Sequence, residues 1–136
     1  MGITVAEKVL IVGAVLNLAY GALLGFPIVV TRVKGALATP KYLMAAHIST
    51  LLHAAILFGL VWAAQLSTLN SGLEEAAAWL IVVASALVAA KDTINWLAGI
   101  KDEFTEKAKA TPLAGFAALP ETTGIGIFVV GVLMAL

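Results

Sequence analysis

The chain of 136 residues contains no cysteine. That excludes disulfides, thiolate metal sites, iron–sulfur clusters and a cysteine nucleophile. Charge is also scarce: only 12% of residues are Asp, Glu, Lys or Arg, against ~25% in an ordinary soluble domain. So few charges cannot cover a globular surface in water. The eight basic and eight acidic residues cancel, so no polyanionic partner is implied and no nucleic acid is expected. There is no nucleotide-binding glycine motif, nucleophile elbow or zinc-ligand spacing. The Gly124-Ile125-Gly126 run lies inside an apolar stretch and is a weak signal.

Apolar residues are what the chain has instead, at 62%. A bilayer core of ~30 Å needs ~20 apolar helical residues. Four stretches meet or approach this, at about 5–30, 42–66, 75–100 and 119–136. Span four is the shortest in clean apolar sequence, and a start near Leu113 with Pro120 as a kink is the other reading. The long runs lack period-2 alternation, which argues for helices over a barrel. The expected fold is all-α: one four-helix transmembrane domain covering residues 1–136. Residues 1–30 do not read as a signal peptide, because the run from Val9 to Val30 is too long for one.

Basic residues are unevenly spread. Arg32, Lys34 and Lys41 lie in or beside loop one, and Lys101, Lys107 and Lys109 lie in loop three. Loop two, from Ser67 to Glu74, has none. The positive-inside rule then puts loops one and three in the cytoplasm and both termini outside. The expectation is an integral protein of a bacterial inner membrane, with the lipid bilayer as its first partner.

Polar groups inside spans are costly and need a reason. Span one carries Asn17 and Tyr20; span two carries His47 and His53; span three carries Lys91, Asp92 and Asn95; Glu121 opens span four. A rise of ~1.5 Å per residue puts His47 and Asn95 each ~9 Å below the basic loops, with Asp92 one turn deeper. These residues are expected to converge on one layer in the cytoplasmic half. Lys91 and Asp92 are neighbours in sequence and do not face each other on a helix, so Lys91 is expected either to pair or to snorkel toward the interface. Asn17 and Asn95 also fit interhelical hydrogen bonding, and His53 fits a neutral core histidine. His47, deep in a bundle without thiols, fits an axial ligand for a haem iron. The two histidines are six residues apart, about 120° around the helix, so they do not share one face.

The residues also carry a resemblance. Asn17-Leu18 followed by Gly21, Thr39-Pro40 leading into Ala46-His47, and Asp92 closely followed by Asn95 occur in this order and spacing. In this the chain resembles the styrene oxide isomerase family, small four-helix membrane proteins, across most of spans one to three. The resemblance implies haem b as cofactor, with His47 as the ligand of its iron. It implies further cofactor contacts from Asn17 and Asp92, and a catalytic role for Asn95 and His53; Tyr20, from another helix, is the expected catalytic hydroxyl of the site. It implies a lipophilic epoxide as substrate, opened to a carbonyl compound, and a homotrimer with haem near the protomer boundaries. Four residues beyond Asn95, where the family has a catalytic tyrosine, this chain has Gly99. Two other classes stay open: a haem protein for electron transfer or sensing, and a small transporter or complex subunit with Asp92 and Glu121 as working carboxylates.

Overall fold

The computed structural model describes residues 2–136. It contains four helices: α1 (Val5–Val33), α2 (Lys41–Leu66), α3 (Ser71–Leu97) and α4 (Pro112–Leu133). Each is long and apolar enough to cross a membrane. At ~1.5 Å per residue the shortest, α4, spans about 33 Å. The helices alternate in direction, so loops one and three share one end of the bundle. The termini and loop two share the other.

Local signals set the helix ends. Thr4 caps α1 in a capping box: its hydroxyl accepts the Glu7 amide, and the Glu7 carboxylate accepts the Thr4 amide. The Asn70 side chain caps α3 by accepting the Leu73 amide. Gly99 stops α3 with φ +70°. The Ile100 amide returns to the Asn95 carbonyl and the Gly99 amide to Trp96, a Schellman ending that favours glycine. Pro112 opens α4 at a position where no backbone donor is needed.

Span four therefore begins at residue 112, the earlier of the two starts considered, and the helix runs through Pro120. It ends at Leu133, short of the expected 136. Span three runs 71–97, displaced toward its N-terminus from 75–100, because Asn70 caps it early and Gly99 ends it.

Helices α2 and α3 form the middle of the bundle. Helix α1 packs on both, α4 packs on both, and α1 and α4 do not meet. The half nearest loop two holds the larger apolar cluster, from Leu10 and Ala14 of α1, Leu57 of α2, Ala77, Ala78 and Ile81 of α3 and Phe128 of α4, and Leu24, Leu43 and Ala46 form a smaller one toward loop one. Small residues let the backbones approach. A Cβ on Gly124 would stand 2.7 Å from the Ala77 carbonyl and 2.5 Å from Ile81. The outer faces are apolar as well: Phe26, Trp62, Phe116 and Leu119 are all more than two-thirds exposed. A helix apolar all round belongs in lipid or in a larger core, and lipid is the surrounding these helices are long enough to span.

Candidate functional site

Besides the groove that Asn17 and Tyr20 line, the polar residues of the spans fall into three groups that share no hydrogen bond.

The first group is centred on His47. Its Nδ1 lies 2.7 Å from the Gly21 carbonyl oxygen. A carbonyl only accepts, so Nδ1 carries a proton, and in the neutral ring Nε2 is the nitrogen with the lone pair. Glycine at 21 makes the contact possible: a Cβ there would come within 2.8 Å of both Thr50 Oγ1 and the Leu51 side chain. Without that bulk, α2 sits close enough for His47 to reach the α1 backbone. His47 is half-buried. Among the described residues no buried side-chain nitrogen or oxygen lacks a partner, and Nε2 has none, so Nε2 opens to the outside of the bundle. Beside the ring lies Gly25, whose Cβ position is 3.8 Å from His47 Cε1. Gly25 belongs to an apolar recess of 220 Å³ with Ala22, Phe26, Val29 and Val30.

On the α3 side of the same helix, Asn17 and Tyr20 line a groove of 480 Å³ with Leu16, Ala86, Ala89, Ala90, Thr93 and Ile94. The Asn17 amide donates to the Gly13 carbonyl (2.9 Å) and to Ser85 Oγ (3.0 Å). The Tyr20 hydroxyl is 2.7 Å from Thr93 Oγ1.

The second group is His53 with Glu121. The His53 ring is committed at both nitrogens: Nδ1 is 2.7 Å from the Ser49 carbonyl and Nε2 is 3.1 Å from Glu121 Oε1. Because α4 starts at residue 112, Glu121 lies nine residues into the helix, deep enough to meet His53. His47 thus faces α1 and His53 faces α4.

The third group closes the basic end. Lys91 Nζ is 2.9 Å from Asp92 Oδ1 and 3.3 Å from Glu103 Oε2. Sequence neighbours therefore do pair here, and the Lys91 ammonium also reaches Glu103 of loop three. The Asn95 amide donates to Glu103 Oε2 at 3.1 Å, and the Glu103 amide donates to the Tyr42 hydroxyl at 2.9 Å. Asp92 and Asn95 are 5% and 1% exposed, so this network is interior.

Of the residues singled out from sequence, Asn17 and Tyr20 share a groove, and Asp92 and Asn95 share a network. His47 and His53 are held apart. Sequence reading missed Glu103, a carboxylate of loop three, and the Gly21 carbonyl, which has no side-chain signature. Among the described residues no group of three His, Cys, Asp or Glu side chains gathers as a metal site; a single imidazole to a haem iron requires none. No family model matches the chain, and no curated protein and no solved structure matches it either.

Proposed function

We propose that this protein is a membrane-embedded, haem b-dependent isomerase that opens a lipophilic epoxide to a carbonyl compound. The observation that carries the proposal is the His47–Gly21 hydrogen bond of 2.7 Å. It holds the ring in the tautomer that leaves Nε2 as a donor atom for iron. A backbone carbonyl on the far ring nitrogen also raises the ligand's basicity and locks its orientation. The donor set fits haem: one neutral imidazole, opening outward beside apolar surface. An outward ligand is also what a haem at a protomer boundary needs, which supports a homotrimer.

Bound ferric haem supplies a Lewis acid for the epoxide oxygen. The chain's own residues do the rest. His47 holds the iron, and Gly21 holds His47. The apolar recess of Ala22, Gly25, Phe26, Val29 and Val30 beside His47 is the surface that would keep water from a reactive epoxide. Tyr20 and Asn17 line the separate α1–α3 groove and are bonded there to Thr93 and Ser85. Asn95 and His53 are occupied by Glu103 and Glu121, and act on the site only through packing. The net change moves a hydrogen between neighbouring carbons and turns a C–O single bond into a carbonyl, so no electron acceptor is needed.

A second reading, haem binding without isomerisation, draws support from Gly99. Its φ of +70° is a conformation in which a tyrosine is strained, so the family's catalytic position is a helix stop here. Electron transfer through two histidine ligands is disfavoured by the Glu121 and Ser49 contacts of His53.

The visible spectrum of the purified protein is the first test. A Soret band is expected, lost in His47→Ala and kept in His53→Ala. Incubation with an aryl epoxide should yield the aldehyde without added reductant. A spectrum without a Soret band after expression with haem supplied sinks both haem readings. A Soret band with no aldehyde formed leaves only the second.

A further inference from the structure

At the end of the bundle opposite the basic loops lies a second cavity, of about 540 Å³. It sits where α1 and α3 begin and α2 ends. Its polar lining is Thr4, Glu7, Gln65, Ser67, Ser71 and Glu74. No Lys, Arg or His lines it.

The two carboxylates are unusual. Glu7 and Glu74 are only 6% and 7% exposed. Glu7 has a local duty, since one oxygen accepts the Thr4 amide at 2.6 Å. Glu74 has none: its side chain has no hydrogen-bond or ion-pair partner among the described residues, and its carboxylate oxygens are open to the cavity that it lines. Both stand in the first turn of a helix. Among the described residues the cavity gathers two carboxylates and no Lys, Arg or His.

We propose that this cavity binds a small organic ammonium ion. A bare metal ion is poorly served, because among the described residues no three-ligand carboxylate or histidine group forms. An ammonium is served better. Its N–H groups can donate to Glu74, and the hydroxyls of Ser67 and Ser71 and the Gln65 carbonyl offer neutral acceptors. Ile3, Ala64 and Leu69 supply apolar surface for a short alkyl stem. The volume exceeds what a single ion would fill. The site is separate from His47 in place and in chemistry, so it stands or falls independently of the haem proposal.

The test is calorimetric titration of the purified full chain in lipid nanodiscs with n-propylammonium chloride, with potassium chloride and calcium chloride as comparators at matched ionic strength. The expected result is saturable binding of propylammonium and none of potassium. Glu74→Gln should weaken it about tenfold to a hundredfold, the effect of losing one charge-assisted hydrogen bond. Ser71→Trp, an exposed position at the cavity wall, should block binding while leaving both carboxylates and the fold in place. Absence of saturable propylammonium heat with the unmodified chain overturns the site. Undiminished binding in a folded Glu74→Gln or Ser71→Trp protein overturns its location. Calcium binding as tight as propylammonium overturns the ammonium assignment.

Discussion

Glu103 joins groups that no single helix can bring together. Its carboxylate meets Lys91 and the Asn95 amide, and its backbone amide meets Tyr42 of α2. Twelve residues separate it from Lys91 in sequence. Removing the carboxylate leaves the Asn95 amide, in a residue only 1% exposed, without its acceptor, and leaves Lys91 with Asp92 alone. An unmet buried donor costs about 1–3 kcal/mol. Glu103→Ala should therefore lower stability by that amount, read from chemical unfolding in detergent micelles. Glu103→Gln, which keeps an acceptor for Asn95 but loses the charge, should fall between the two. A Glu103→Ala protein as stable as the parent would show that the loop carries no weight in the closed end.

Two elements make distinct predictions. Helix α4 lies against α3 through Gly124, where any Cβ meets the Ala77 carbonyl and Ile81. Gly126 has no atom within 4 Å of its Cβ position. Overpacking costs about 1–3 kcal/mol. Gly124→Ala should be destabilised by that much, and Gly126→Ala should match or slightly exceed the parent because it removes a helical glycine; thermal unfolding of the pair decides it. Loop three has its own local order. The Asp102 carboxyl accepts the Phe104 and Thr105 amides, and Glu106 accepts those of Lys101 and Asp102. These backbone hydrogen bonds hold both carboxyls below the usual carboxylate range, Asp102 chiefly through Thr105 and Glu106 chiefly through Asp102. The folded value is depressed, so the contribution is present above the unfolded value and is lost as pH falls through the folded one. A carboxyl NMR titration should give midpoints below those of unfolded peptides, and amide protection in 101–106 should fall in the same acid window. Midpoints at ordinary values would mean the turn is not formed.

For the whole molecule, the shared end of loops one and three concentrates six of the eight basic residues. If that end is cytoplasmic, a cysteine at Ala38 is shielded from an impermeant maleimide in intact cells and a cysteine at Ser71 is labelled. Both positions belong to opposite ends of the bundle, and Ala38 and Ser71 are exposed. Labelling of Ala38→Cys with protection of Ser71→Cys would reverse the orientation; labelling of both in sealed cells would break the four-span topology.

The amino-acid sequence by itself determined four apolar spans, the end to which the basic loops belong and the approximate position of the polar side chains along spans one to three. Hydropathy and charge are local, and depth follows from a fixed rise of ~1.5 Å per residue. Only the tertiary structure decided which polar groups meet. Partnership depends on how each helix is rotated and how closely it approaches its neighbour, and that is set by packing at Gly13, Gly21 and Gly124, where a Cβ would collide with the facing helix. Rotation turned His47 toward the α1 backbone and His53 toward α4. The start of α4 at Pro112 carried Glu121 from an expected interface position down to His53. The fold of loop three brought Glu103 to the bundle end, where it gives the buried Asn95 amide its acceptor and Lys91 a second carboxylate beside Asp92.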